Sequence, residues 1–312
     1  MKGVVIQGSR NIFTVKPEAG EGIQTEVSCH IKGKILHNSE GYYNPLAPGD
    51  IVRFEPTLPN QGRILGVEPR KTRFTRLQKG SGSQAAGEIQ ILAANVDLLL
   101  CVTTPASPPF RPRFLDRLLV QAEYAGIAPL IICNKADLAP ADPDVEERLS
   151  DFVRIGYPVV KVSALTGAGM DALRDLLKNR FSVLVGQSGV GKSSLIKALI
   201  PNLEVKIGPL NEKYDRGTHT TALARLLEIS GGGRIIDTPG VRRFATEGLA
   251  SEDVIAYMPE FAPLAGTCTY GRSCSHRTEP GCKILEGVTA GAIHEDRYAS
   301  FLRIQAEAAR QY

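Results

Sequence analysis

The chain has 312 residues, 43% of them hydrophobic and 22% charged, a composition typical of globular proteins that excludes disordered and collagen-like chains. This length predicts two or three domains, because single hydrophobic cores stop growing near this size. The formal net charge is +4. Residues 1–80 carry 12 Lys+Arg against 7 Asp+Glu, whereas the remainder carries 25 against 26. The excess positive charge therefore lies in the N-terminal region.

Hydropathy predicts no membrane helix, since a span needs about 18 consecutive apolar residues and no such run occurs. The first residues alternate between apolar and polar and lack the apolar segment and cleavage site of a signal peptide. A cytoplasmic location is the expectation.

Residues 1–68 read as short strands separated by Gly- and Pro-rich turns, at residues 4–7, 11–15, 25–31 and 50–54. Several short strands in about 70 residues predict a small β-barrel, such as an OB-fold. An SH3-like barrel has the same pattern at this level.

A basic segment follows at residues 69–88, with no acidic residue between Glu68 and Glu88. Its cations are Arg70, Lys71, Arg73, Arg76 and Lys79. We expect a flexible linker, and two interpretations of its charge stay open. It is either a solvated connection or a contact for nucleic-acid phosphates.

From residue 89 to residue 245 strand and helix patterns alternate, which predicts a doubly wound α/β domain. The predicted strands are residues 96–102, 130–133, 159–162, 182–185, 222–229 and 234–236. The predicted helices are residues 113–124, 145–154, 170–177 and 192–199. Residues 246–312 are expected to be helical around a loop at 266–283.

Residues 186–193 match the phosphate-loop pattern G-x-x-x-x-G-K-[ST] between a predicted strand and a predicted helix, the context that this motif requires. Glycines there allow backbone N–H groups to converge on phosphate oxygens. Lys192 is expected to neutralise the β and γ phosphates, and Ser193 to bind Mg²⁺. The predicted phosphate-binding residues are Gly186, Gln187, Ser188, Gly189, Val190, Gly191, Lys192, Ser193 and Ser194.

The motif Asn134-Lys135-Ala136-Asp137 follows a predicted strand and indicates guanine. Asp137 can accept from both N1–H and the 2-amino group of guanine, whereas adenine presents an acceptor there. Asn134 is expected near guanine O6 and N7, and the Lys135 stem on the ring plane. Ser163 and Ala164 match the loop whose backbone N–H supports O6.

A second Mg²⁺ ligand is expected at Asp237, which ends a predicted strand in Asp237-Thr238-Pro239-Gly240. The Gly240 N–H is expected to sense the γ-phosphate. The other switch is predicted at residues 216–221, where either Thr220 or Thr221 senses the γ-phosphate and Mg²⁺.

Hydrolysis without a partner is expected to be slow. Many small GTPases have a glutamine after this switch to orient the attacking water, and this chain has Val241. His219, in the predicted switch loop, is a candidate for the catalytic role. A loop histidine with no catalytic part is the alternative.

The motif order is reversed relative to a standard GTPase, because the guanine motif precedes the phosphate loop. A circularly permuted domain can keep the same spatial site. It also places Gly240 next to residue 246, so a pull on Gly240 by the γ-phosphate is a hypothetical coupling to the C-terminal region.

Four further residues predict a metal site: Cys268, Cys274, His276 and Cys282. Three thiolates and one imidazole form a closed tetrahedral set suited to one structural Zn²⁺. Unliganded thiols are the alternative.

Together these motifs resemble the ribosome small subunit-dependent GTPase A family of bacteria. The resemblance covers nearly the whole chain, and its most specific feature is the Cys268-x5-Cys274-x-His276-x5-Cys282 spacing behind a permuted GTPase. It implies an assembly factor that binds the small ribosomal subunit and its rRNA late in maturation. Subunit-stimulated GTP hydrolysis would then accompany release.

The family also has a hydrophobic residue at the position of Val241, and His219 matches a switch histidine proposed to aid its catalysis. We expect a monomer. Two other functions stay open, a signalling GTPase that binds only protein effectors and an RNA-binding module in which hydrolysis is incidental.

Overall fold

Five strands of the N-terminal region close into a barrel in this computed structural model. They are β1 (Lys2–Ser9), β2 (Ile12–Pro17), β3 (Val27–Ile31), β4 (Ile51–Leu58) and β5 (Gln61–Val67). The structure describes residues 1–9, 11–18, 26–31, 42, 44–78, 88–140, 142–201, 225–237 and 248–309.

The order around the barrel is β1-β2-β3-β5-β4, and the pairing of β3 with β5 is parallel. Alternate residues, such as Phe13, Val15 and Phe54, point inward and are buried, the two-residue period of a half-buried strand. This confirms the OB-like barrel. Strand β5 was not predicted, because Gly62 and Gly66 interrupt its apolar pattern.

A two-stranded antiparallel ribbon follows, formed by β6 (Arg73–Gln78) and β7 (Glu88–Ala94). The prediction of a flexible linker is wrong for residues 73–78. Phe74 is fully buried and packs in the same core as Leu115 and Leu119, so burial of one aromatic side chain fixes the strand. Residues 79–87 of the predicted linker lie outside the described residues.

A six-stranded sheet forms the centre of the molecule, in the order β10-β9-β8-β11-β13-β12. Its strands are β8 (Leu98–Thr103), β9 (Ala128–Cys133), β10 (Val159–Lys161), β11 (Phe181–Gly186), β12 (Arg225–Glu228) and β13 (Arg234–Asp237). All pairings are parallel except that of β12 with β13. The doubly wound domain is confirmed.

Two pairs of helices cover the two faces of this sheet. They are α1 (Pro112–Ala125), α2 (Asp144–Arg154), α3 (Met170–Leu177) and α4 (Lys192–Leu199). Helices α1 and α2 pack with Leu99 and Cys101 of β8, whereas α3 and α4 pack with Leu100 and Val102. Successive side chains of a strand alternate between the faces, and both faces of β8 are therefore buried.

The C-terminal region contains α5 (Lys283–Thr289), α6 (Glu295–Ala308) and 3₁₀ segments at Ser251–Tyr257, Ala262–Leu264 and Gly271–Ser273. Stacked rings of Phe261 and Phe301, with centroids 4.9 Å apart, form part of its core. Helix α6 packs directly on α1. No helix of the described ranges is both long and apolar enough to cross a membrane.

The predicted divisions of the chain after residues 68, 88 and 245 stay predictions. The last one lies outside the described residues, as do residues 222–224 of the strand predicted at 222–229.

Candidate nucleotide site and metal centre

The predicted phosphate loop joins β11 to α4 at the carboxyl edge of the sheet, where parallel α/β sheets bind ligands. Gly189 and Gly191 have φ angles of 84° and 92°, which side chains with a Cβ rarely adopt. A Cβ on Gly191 would also lie 2.3 Å from the Asn134 amide nitrogen. Glycine is therefore required there by both backbone angle and space.

The Lys192 ammonium lies inside this loop, where it donates to the carbonyl oxygens of Gly186 and Gln187, each at 2.8 Å. An ammonium has three donors, so one remains beyond these two. Burial lowers the pKa of Lys192, and the Asp237 carboxylate opposes that change. Burial likewise raises the pKa of Asp237 against the effect of Lys192.

The pairing of β13 with β11 in the sheet places Asp237 beside the phosphate loop. Asp237 ends β13 and pairs in register with Leu184 of the neighbouring strand β11, two residues before the loop begins. A carboxylate and the cationic loop thus meet at one edge, as the sequence predicts for a magnesium–phosphate site.

The buried Asn134 side chain connects three loops. Its amide donates to the Val190 carbonyl at 2.9 Å, and its oxygen accepts from the Ala164 N–H at 3.1 Å. Only 1% of Asn134 is exposed. Val190 precedes Lys192 by two residues, so this single side chain holds the guanine motif against the phosphate loop.

The Asp137 carboxylate is held by Ser163, whose hydroxyl donates to it at 2.5 Å. Ser163 is fully buried and its oxygen accepts from the Thr166 N–H at 3.1 Å. These bonds orient the Asp137 carboxylate before any base binds.

Lys135 has a left-handed backbone with φ of 62° and spans two loops. Its ammonium donates to the carbonyl oxygens of Ser107 at 2.7 Å and Gly189 at 2.9 Å. Ser107 was missed in the sequence. The only signal is the turn-forming Ser107-Pro108-Pro109 after a buried strand.

Leu165 was also missed. It is 85% exposed although it is apolar, and it follows Ala164, whose N–H contacts Asn134. An exposed leucine beside a predicted base-binding loop is available to contact an aromatic ring.

The other predicted phosphate ligands lie in the loop or in the first turn of α4, where Ser188, Ser193 and Ser194 are exposed. Five further residues of the predicted site lie outside the described residues: His219, Thr220, Thr221, Gly240 and Val241. Their roles stay predictions.

The metal centre is built from the four residues that the sequence indicates. The ligand atoms of Cys268, Cys274, His276 and Cys282 all lie within 4.8 Å of one another, and the four residues are buried. His276 Nδ1 is 3.6 Å from Cys268 Sγ and 3.5 Å from Cys282 Sγ, and these two sulfurs are 3.9 Å apart. Tetrahedral zinc requires about 3.6 Å for N–S and about 3.8 Å for S–S pairs.

Hydrogen bonds hold the loop that carries these ligands. The Glu279 carboxylate accepts from the N–H groups of Ser275 at 2.8 Å and Arg277 at 2.9 Å. A side-chain hydrogen bond from Ser275 is the main cause that lowers the pKa of Glu279, and the N–H bond from Arg277 lowers it further. Tyr298 of α6 donates to the His276 carbonyl at 2.7 Å. Such partners orient ligands and support a metal-binding role.

A guanine motif on β9 and a phosphate loop on β11, in reversed chain order at one edge of a parallel sheet, define a circularly permuted GTP-hydrolysing enzyme. The chain belongs to the RsgA GTPase family, whose model matches residues 67–247.

Relatives named small ribosomal subunit biogenesis GTPase RsgA match nearly the whole chain. The protein from Bacteroides fragilis (strain ATCC 25285) is 37% identical over 304 residues, which cover 97% of this chain and 95% of the relative. The protein from Pseudomonas fluorescens (strain Pf-5) is 42% identical over 306 residues, covering 97% and 84%.

Two solved structures share the fold over nearly their full length. YjeQ from Thermotoga maritima is 30% identical with a TM-score of 0.74, and the match covers 99% of this chain and 98% of that one. YloQ, a circularly permuted GTPase, is 25% identical with a TM-score of 0.71, covering 100% and 96%.

Proposed function

We propose that this GTPase binds the small ribosomal subunit, assists its late maturation, and hydrolyses GTP to GDP and phosphate with turnover that the subunit stimulates. The observation that carries the nucleotide part is the Asn134 side chain, which joins the guanine motif to the phosphate loop through Val190 and Ala164. The partner follows from the name that its relatives bear. The protein acts in the cytoplasm as a monomer.

Guanine selection rests on Asp137, which accepts from N1–H and the 2-amino group. Its carboxylate is already oriented by Ser163 at 2.5 Å, which reduces the entropy cost of binding. The Asn134 amide faces O6 and N7. The base lies between the Lys135 stem and Leu165, which contribute apolar contact to its two faces.

The phosphates lie in residues 186–194, where Lys192 neutralises the β and γ oxygens with its remaining donor. Ser193 and Asp237 fit as magnesium ligands, because a hydroxyl and a carboxylate are the oxygen donors that this ion prefers. Bound Mg²⁺ supplies neutralisation of the charge that develops on the phosphates. Gly240 and one of Thr220 and Thr221 sense the γ-phosphate.

Water activation is assigned to His219, because Val241 cannot orient water. Without a subunit to order the switch the turnover is slow. Both residues lie outside the described ranges, so the assignment rests on the sequence and the family resemblance.

The cluster Cys268, Cys274, His276 and Cys282 binds one structural Zn²⁺. The short N–S and S–S distances fit tetrahedral zinc, and a closed set of four protein ligands leaves no position for a substrate. The domain around it, like the barrel, contacts rRNA by shape and backbone more than by sequence.

The test measures GTP turnover by the protein alone, with purified small subunits, with large subunits and with bulk RNA. Strong stimulation by small subunits only is expected. Absence of stimulation by any particle would support a signalling GTPase instead. Binding to particles without stimulation would support an RNA-binding module with incidental hydrolysis.

A further inference from the structure

A pocket of about 290 Å³ lies where the end of the barrel, the ribbon strand β6 and helix α1 meet. We call it the junction pocket. Its described lining includes three basic residues and no acidic one, and the residues that matter are Arg70, Lys71, Arg73 and Tyr124.

One of the three cations has a structural role. Arg70 donates to both carboxylate oxygens of the buried Asp50, at 2.7 and 2.8 Å, and to the Pro45 carbonyl at 3.0 Å. Its side chain is 15% exposed. Asp50 therefore balances the charge of Arg70, and the positive charge that remains in the pocket comes from Lys71 and Arg73.

These two residues present their charge to solvent. Both Lys71 and Arg73 are exposed. The Arg73 guanidinium lies 5.5 Å from the centre of the Tyr42 ring, a cation–π contact that orients it without neutralising it.

The acidic side chains nearest along the chain are engaged elsewhere. Glu68 contacts Lys2 at 3.7 Å and Arg53 at 3.5 Å. Glu123 of α1 lines a separate pocket at the other side of that helix. The field at the junction pocket is thus positive, and an anion is the ligand that it attracts.

We propose that the junction pocket binds backbone phosphates of small-subunit RNA through Lys71 and Arg73. This inference rests on the proposed function, because it supposes that the ribosomal subunit is the partner. RNA is favoured over an acidic protein surface since adjacent phosphates of a nucleic-acid backbone match two cations separated by one residue.

The test compares Lys71→Gln/Arg73→Gln with the wild-type chain for binding to purified small subunits at salt concentrations from about 50 to 200 mM. Each phosphate contact contributes about 1 to the slope of log affinity against log salt. The variant is expected to bind more weakly, and the magnitude of that slope is expected to fall by about 2. Its GTP turnover without subunits is expected to equal that of the wild type.

Lys178→Gln/Lys197→Gln is the matched control. It removes two exposed lysines, one directly after α3 and one within α4, the helices on the face of the sheet opposite to α1. Its affinity and slope are expected to stay near the wild-type values, which separates a local contact from a general loss of charge.

Three results would decide against the inference. An unchanged slope for Lys71→Gln/Arg73→Gln would exclude phosphate contacts, as would equal losses in the variant and the control. If the variant loses binding to subunits but still binds protein-free small-subunit RNA fully, the partner of the pocket is an acidic protein and not RNA. If the wild-type protein itself binds no subunit, the result contradicts the proposed function, on which this inference rests.

Discussion

A single buried amide illustrates how residues build this site. Asn134 donates to the buried Val190 carbonyl and accepts from the half-buried Ala164 N–H. Its loss would leave the Val190 carbonyl without this partner in a buried place, which costs about 1–3 kcal/mol. Gly191 leaves space for that amide, since a Cβ would approach it to 2.3 Å. Base recognition and phosphate binding are therefore coupled at the level of side-chain packing.

Asp137→Asn tests guanine reading directly. The variant is expected to lose GTP affinity by about 100-fold or more, because two hydrogen bonds to a charged acceptor are replaced by poorer ones. Xanthosine triphosphate, which carries an oxygen in place of the 2-amino group, is expected to bind better than GTP. Equilibrium binding of both nucleotides checks this.

The conservative control is Ser163→Ala, which removes only the hydroxyl that orients Asp137. It should weaken GTP binding while keeping the preference for guanine. An Asp137→Asn protein that still prefers GTP over xanthosine triphosphate, or a wild type that binds ATP equally well, would contradict the assignment.

At the scale of elements, helix α1 connects the nucleotide site to the C-terminal region. The loop before it places the Ser107 carbonyl on the Lys135 ammonium, while Asp116 within it contacts α6. In this contact between α6 and α1, the buried Arg297 donates to Asp116 at 2.8 Å, and Ser300 donates to the other oxygen of Asp116 at 2.5 Å. Gly240, through which the hypothetical coupling would act, lies outside the described residues, and that hypothesis stays a prediction.

The charges of this contact are fully buried and balanced. Burial raises the pKa of Asp116, and the guanidiniums of Arg297 and Arg148 with the Ser300 hydroxyl oppose that rise. For Arg297, burial lowers the pKa, but Asp116 and Glu260 outweigh it and the net change is upward. Arg297 thus stays charged.

Asp116→Asn is expected to destabilise the packing of α6 on α1 by about 3–5 kcal/mol, because a buried guanidinium loses a charged partner. Urea unfolding followed by circular dichroism measures the change. Arg117→Gln is the matched control on the same two helices, since Arg117 pairs with Glu307 at the surface. It should cost less than about 1 kcal/mol. Equal effects of the two variants would contradict this account.

For the whole molecule, the metal centre and the sheet domain are connected through α6. Tyr298 contacts the His276 carbonyl, and one residue earlier Arg297 contacts Asp116 of α1. The Phe301 ring lies 5.9 Å from the His276 ring. Loss of the metal should therefore loosen the helix that binds the sheet domain.

Cys282→Ser is expected to lower bound zinc from about one equivalent to below half, as one of four ligands is replaced, and to lower the unfolding temperature. Zinc content measured by atomic emission and thermal unfolding of the same samples test this. Cys29→Ala, which alters a buried thiol of the barrel, should keep the full equivalent. Carefully prepared wild type with less than half an equivalent would refute the zinc assignment.

Short-range patterns were sufficient for the barrel, the alternating sheet domain and the nucleotide and cysteine motifs. Each depends on residues close along the chain, whose period or spacing has a local physical cause: the two-residue pleat of a strand, glycines at a phosphate turn, four metal ligands in one loop. The helix predicted at residues 170–177 matches α3 because its apolar residues Met170, Leu173 and Leu177 recur at helical spacing.

Contacts between residues that are far apart in the sequence are determined only by the tertiary structure. Strand β6, at residues 73–78, forms because Phe74 packs in a core with side chains of α1. The basic sequence of this segment alone indicated a linker. Ser107 contacts Lys135, and Asp116 contacts Arg297 across 181 positions. Such pairings depend on which elements pack against each other, and no local period or spacing records that.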